Sequence, residues 1–379
     1  MSYAKKLSSL LLVLTLLIGF GAPAAAAPAV PAAATTAAQT AASWLRGAQQ
    51  ADGGFGPALK GPSTLGQSTD AAFAFAASGA ELTDVVKGGK SLLAYLVANG
   101  ATASSPAAAC KVALVGRGYL PKTVFDAISK AYDKTTATFG KTTLDQAYCL
   151  LQSRTGAPQE EIDALKKLQL ADGSFAFAGL GAAGEGDSNT TALVMQSLAA
   201  NGVAANDAAI TQAVAYLKTQ QNDDGGFPYQ KPSQYGTDTD ANSTAYVIQG
   251  LLAAGLDPAG FKSAAGNDPL AALLKLQNPD GAFRFQGASG EDNVLATLQA
   301  IPALRYASLP IAIPAAAGSA AVSGTPVVVN DSSMVATPPS TPRLPRTGSS
   351  DYGWPLTLFA LALSGLVGGL LLRPRRRRS

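Results

Sequence analysis

One phrase recurs along the middle of this chain: glutamine, two variable residues, Asp-Gly, a small residue and phenylalanine. It occupies residues 49–55, 169–175, 221–227 and 277–283. A phrase returning at such wide spacing marks a repeat architecture, in which each unit is too small to bury a core alone and must stack on its neighbours. The intervals between successive phrase phenylalanines are 120, 52 and 56 residues. The long first interval holds two weaker copies, near Asn99-Gly100 and near Phe139-Gly140, which brings the number of units to six.

Each strong copy after the first follows an amphipathic segment, with Ile162, Leu165 and Leu168 or Ile210, Val214 and Leu217 on one face. Such segments read as outer helices with one buried stripe. After each phrase comes a segment of small and apolar residues with little charge: 190–200, 243–254 and 293–303. Apolar on nearly every side, these read as inner helices. The glycine of Asp-Gly supplies a positive φ after the outer helix, the aspartate bonds back to nearby amides, and the phenylalanine plugs the space between units. The expectation is an all-α domain, an α/α toroid (α6/α6 barrel) of about six helix pairs, because closing the ring removes the end faces an open solenoid must cap.

The phrase resembles the glutamine-and-aromatic repeat of the prenyltransferase and squalene/oxidosqualene cyclase superfamily, over residues 37–308. That resemblance implies the toroid shared by terpene cyclases, protein prenyltransferases, the thioester domain of complement-like proteins and the vitamin-binding domain of cobalamin carriers. Fold alone does not choose among these. Protonation-initiated cyclisation implies DxDD ahead of an inner helix, and the nearest match, Asp238-Thr239-Asp240-Ala241, lacks the final acid. Asp238 and Asp240 are therefore the candidate acids. No DDxxD is present, because the Asp223-Asp224 pair sits inside a phrase. Zinc-dependent prenyl transfer implies a histidine ligand, and the chain has no histidine, which also excludes Ser-His-Asp and Cys-His catalysis. Neither Cys110 nor Cys149 stands in the GCGEQ setting of a reactive thioester. No metal site and no cofactor are expected, and the balance leans towards binding over catalysis.

Three phrases carry a second aromatic two residues on: Phe177, Tyr229 and Phe285. They are either further core packing or the lining of a pocket for a flat apolar or corrinoid-like ligand. Acids near the starts of the inner helices, Asp70, Glu185, Asp187, Asp238, Asp240, Glu291 and Asp292, read first as helix N-terminal charges. The two cysteines are either one disulfide or two small core residues.

The two ends carry address signals. Residues 1–27 place Lys5 and Lys6 before a leucine-rich run and a small-residue stretch with A-x-A sites, the layout of a secretory signal peptide. Near the other end, Leu344, Pro345, Arg346, Thr347 and Gly348 precede an apolar segment at 354–372, read as a transmembrane helix, and a basic tail at 373–379. This order resembles the LPxTG cell-wall sorting signal of Gram-positive bacteria, which implies that sortase cuts after Thr347 and joins the chain to the wall. Residues 309–343, rich in Pro, Ser, Thr and Ala, read as a disordered stalk. The net charge of +3 comes from the tail, whose five arginines leave the remainder slightly acidic. No nucleic-acid partner is expected. The chain thus reads as a wall- or membrane-anchored surface protein that binds a small apolar or corrinoid-like ligand or a surface partner. The alternatives are a terpenoid cyclase or prenyltransferase-like enzyme with a degenerate acid motif, and a structural or adhesive spacer.

Overall fold

The computed structural model describes residues 28–314, apart from 117, 154, 155, 235 and 289. The leader at 1–27, the stalk beyond 314, the LPRTG motif, the apolar segment at 354–372 and the basic tail lie outside the described residues. Among the described residues, twelve α-helices alternate between two layers. The inner layer is α2 (Leu65–Ala77), α4 (Pro106–Gly116), α6 (Thr143–Ser153), α8 (Ser188–Ala200), α10 (Ala241–Ala253) and α12 (Val294–Leu304). The outer layer is α1 (Ala32–Ala48), α3 (Leu92–Asn99), α5 (Lys122–Ala131), α7 (Gln159–Lys166), α9 (Ala208–Gln220) and α11 (Pro269–Leu274).

Each inner helix packs on the next, and α12 returns to pack on α2, so the ring is closed. Every outer helix lies on the inner helix that precedes it in sequence, and α1, which has no predecessor, lies on α12. The packing pair is thus offset from the sequence unit, because the phrase turn carries the chain sideways to the next place in the ring. Two short hairpins, β1 (Val86–Lys87) with β2 (Lys90–Ser91) and β3 (Tyr132–Asp133) with β4 (Thr138–Phe139), occur in the stretch where the phrase is weakest.

The phrase glutamine is the rivet of the perimeter. Its side-chain amide donates to the carbonyl of its own phrase glycine and to a carbonyl at the start of the next outer segment. Gln49 reaches Gly53 and Val85, Gln169 reaches Gly173 and Ala209, and Gln221 reaches Gly225 and Phe261, all at 2.8–3.0 Å. The last copy spans the seam: Gln277 donates to Gly281 at 3.0 Å and to Ala37 in α1 at 2.9 Å. There the turn is so close to α1 that a Cβ on Gly281 would stand 2.7 Å from the Thr40 carbonyl oxygen, and its φ is +100°. Only glycine fits both constraints.

The phrase phenylalanines Phe55, Phe175, Phe227 and Phe283 are fully buried. Each donates its amide to a hydroxyl one turn into the following inner helix: Ser68, Thr191, Thr244 and Thr297, at 2.8–3.0 Å. A buried amide left unpaired is costly, so this bond fixes where the ring plug meets the inner helix. In the weak third copy Gln146 takes the hydroxyl's place and accepts from the Phe139 amide at 2.8 Å. Among the described residues no helix is long and apolar enough to cross a membrane.

Candidate functional site

All six inner helices start from a capping side chain that accepts the amide three residues on. The caps are Thr64, Ser105, Thr142, Asp187, Asp240 and Asn293. Such caps satisfy an amide that the helix cannot, and they give all six helices a common register. Counting six residues from each cap reaches Asp70, Lys111, Tyr148, Leu193, Tyr246 and Gln299. With one residue per helix at one level, this set forms a layer across the ring's axis.

The layer is largely polar. Lys111 Nζ lies 2.6 Å from Asp70 Oδ1, with the two side chains 16% and 11% exposed, and 5.5 Å from the centre of the Tyr148 ring. Burial by itself would lower the Lys111 pKa, but the Asp70 carboxylate raises it overall, so the ammonium is held charged. The Tyr148 and Tyr246 hydroxyls are 3.3 Å apart, and burial pushes both phenols up. Gln299 accepts from Asn242, one turn nearer the helix start, at 2.7 Å.

Behind the layer, Cys110 and Cys149 are joined by a disulfide between α4 and α6, with a Cα separation of 4.9 Å. They are the immediate neighbours of Lys111 and Tyr148, so the covalent bond fixes the two backbones from which those side chains reach the axis. One level deeper, counting nine from each cap, come Phe73, Leu114, Leu151, Gln196, Gln249 and Pro302. Leu309, from the segment after α12, donates its amide to Gln196 at 2.9 Å and is buried with Ile311. That segment stoppers the C-terminal end of the inner ring.

Between the layers remains a cavity of about 20 Å³, bordered among others by Asp70, Tyr148, Tyr246, Gln249, Gln299 and Leu309. This is room for about one water molecule. Pockets for small-molecule ligands run to roughly 300–1,000 Å³. This cavity is thus too small for a terpenoid or corrinoid.

The residues expected from the sequence fall at the edge of this site. Asp240 is 2% exposed and caps α10, with one carboxylate oxygen taking the Ser243 amide at 2.7 Å and the other the Ser243 hydroxyl at 2.8 Å. Burial pushes its pKa up to about 7. Asp187 plays the same part in α8 and is pushed up to about 6, again by burial. Asp238 is exposed. None of the three borders the axial cavity. Asp70, grouped by sequence with the helix-start acids, lies within α2 on the axis, because the helix begins at Leu65.

Phe177, Tyr229 and Phe285 do not border the cavity either. Their carbonyls accept the first amides of α6, α8 and α10, from Thr143, Ser188 and Ala241, at 2.8–3.1 Å. Each second aromatic thus closes the start of the preceding unit's inner helix with its backbone; Tyr229 is 38% exposed as a residue, and its phenol is pushed up by burial and by the Asp187 carboxylate. The axial layer itself was not picked out by sequence reasoning. Its signal was present: the sixth residue after each cap becomes visible once the capping Ser, Thr, Asp or Asn has been placed.

Residues 121–293 match the family model of the squalene-hopene cyclase C-terminal domain. Among solved structures, the type II terpene cyclase MstE from Scytonema without ligand is similar at TM-score 0.53 and 14% identity, covering 72% of this chain and 98% of that one. A variant of the same cyclase with its product, merosterolic acid A, is similar at TM-score 0.51 and 14% identity, covering 72% and 96%. No curated protein sequence matches the chain. At this identity the likeness establishes the fold, the helical toroid of terpene cyclases.

Proposed function

We propose that this chain is a wall-anchored surface protein whose toroid is a binding module and not a cyclase. The observation that carries the reading is the closed axis: a charged pair, two bonded tyrosines and a tail stopper leave about 20 Å³ there. An alkene-protonating acid must be both protonated and in contact with its substrate. Asp70, the one acid bordering the cavity among the described residues, has its Oδ1 engaged by Lys111 Nζ at 2.6 Å. The secretory leader, the stalk and the sorting motif of residues 344–348 supply the address.

The terpenoid cyclase reading draws on the cyclase family-model match over residues 121–293 and on the buried Asp240 with its pKa near neutrality. Both of its oxygens are engaged by Ser243, and it does not border the cavity. One experiment tests both parts of the proposal. Envelopes of the host are digested with muramidase, and the released chain is incubated with squalene and with geranylgeranyl diphosphate. The expected result is a wall-linked protein that returns both compounds unchanged. Recovery only from the cytoplasm or medium would overturn the address, and a cyclised product would overturn the binding reading.

A further inference from the structure

We infer that residues 309–314 form a force-released latch: tension drawn through the stalk lifts them away and unseals the C-terminal end of the inner ring. The inference rests on the wall-anchored reading above and adds a regulation of that module. Leu309 and Ile311 are each 6% exposed, and Ile313 and Pro314 are half-buried. Yet the segment belongs to no helix. Among the described residues its one hydrogen bond runs from the Leu309 amide to the Gln196 side chain at 2.9 Å. Pro310 and Pro314 have no amide to donate, which keeps the segment poor in such bonds.

The segment covers the ring's centre and then its weakest joint. Leu309 borders the axial cavity with Phe73 of α2, Tyr148 of α6, Gln249 of α10 and Pro302 of α12, while α8 holds its amide. Ile313 and Pro314 border a second, smaller cavity with Leu82, Leu93, Val115 and Tyr119. Leu82 follows α2 and Val115 lies near the end of α4, so the last two residues sit where those helices end together. Of the six joints between inner helices, the one between α2 and α4 is the most loosely packed.

From Pro314 the sequence runs on to the sorting motif at 344–348. A pull between the wall and a bound partner therefore acts first on Pro314. The contacts of Ile313, Ile311 and Leu309 then bear the load one after another, and each gives way separately. Behind them α12 is tied more firmly, by the Ala307 amide on the Pro302 carbonyl at 2.9 Å and Arg305 Nε on the Ala77 carbonyl at 3.3 Å, besides its own ladder. A weakly bonded segment opens before the packed body does. Release costs one hydrogen bond and the burial of two large side chains, so the segment reseats when the tension falls. Gln196, fully buried, gives up the Leu309 amide on release, and water entering the opened end replaces it.

The test holds the full chain by handles at its two ends in an optical trap and stretches it slowly. The first event expected is a reversible lengthening of roughly 20–30 Å, the reach of about six to nine extended residues, before the body unfolds. At a fixed load, Leu309→Ala combined with Ile311→Ala should shorten the latched lifetime at least about tenfold. Phe283→Ala should lower the force of the later event and leave the first in place. Without load, hydrogen exchange in the double variant should quicken several-fold at the C-terminal ends of α2 and α4 and stay unchanged at the capped starts of the inner helices. Absence of an early event, a first event that takes α12 with it, a lifetime indifferent to the double variant, or exchange quickened evenly round the ring would overturn the latch. The force record needs no wall, so its failure leaves the address standing. Loss of the address, read by the muramidase release, removes the source of tension and leaves the force record unchanged.

Discussion

The perimeter and the axis of this toroid are built by opposite rules. Around the perimeter the same bond is made again and again: a glutamine amide to the next outer segment, a phenylalanine amide to a hydroxyl, a glycine where a Cβ would collide. At the axis the six equivalent positions hold an acid, a base, two phenols, an aliphatic and an amide. Repetition serves assembly, because similar joints, four of them built on the phrase glutamine, must close one ring. Variety at the axis carries no such constraint, because the six axial positions meet one another and not a repeated joint.

That contrast can be broken most sharply at the perimeter. Phe283→Ala should cost about 3–5 kcal/mol, the usual loss for a fully buried phenylalanine, read as a lowered urea midpoint. The axial exchange Asp70→Leu with Lys111→Met should change stability by less than about 1 kcal/mol in the same assay, since replacing a buried pair by apolar residues is often neutral or better. A large loss in the axial variant would mean that the layer holds the ring together, and the division between the two regions would fail.

Between these extremes lies an effect of pH at the cap end. The folded-state pKa values of Asp187 and Asp240 are raised by burial to about 6 and about 7, above those of an unfolded aspartate. At pH values between the unfolded and folded pKa values, the folded state binds more protons than the unfolded state. Stability therefore falls as pH rises through about 4 to 7, and is greatest at the mildly acidic end of that range. The chain has no histidine to confuse this window. Melting temperature should rise by a few degrees from pH 7.5 to pH 5.5, and Asp240→Asn should flatten most of the slope. An unchanged slope in that variant would place the titration elsewhere. The axial exchange should leave the slope intact, which sets its still smaller effect apart from that of the caps.

Much of the perimeter was legible in advance. The inner helices begin within a few residues of where their composition placed them, and the Asp-Gly turns supply positive φ at Gly53, Gly173, Gly225 and Gly281. Those features are local, so a reader of the sequence has all the atoms involved. The site was much less legible. Phe177, Tyr229 and Phe285 share a spacing that suggested a ring of ligand-facing aromatics, yet the repeated contact is made by their carbonyls on the neighbouring helix starts. Side-chain pattern alone does not show which atoms of a residue a neighbouring unit uses. Asp70 was grouped with acids that cap helices, but its helix starts earlier, at Leu65, after the cap Thr64. Which inner helix each outer helix packs on was not legible either, because sequence order does not say which way the turn carries the chain.

Helix pairs in about six copies, with Asp-Gly turns and plugging phenylalanines at four of them, could be read from the chain alone, because propensity, turn chemistry and hydrophobic period act over short stretches. It took the folded ring to show that α1 docks on α12 and is tied to the last phrase by Gln277, that Cys110 bonds Cys149, and that Asp70 meets Lys111 beside Tyr148 and Tyr246. Each of those contacts joins different helices, and their geometry exists only once the ring has closed and brought the helices to one register.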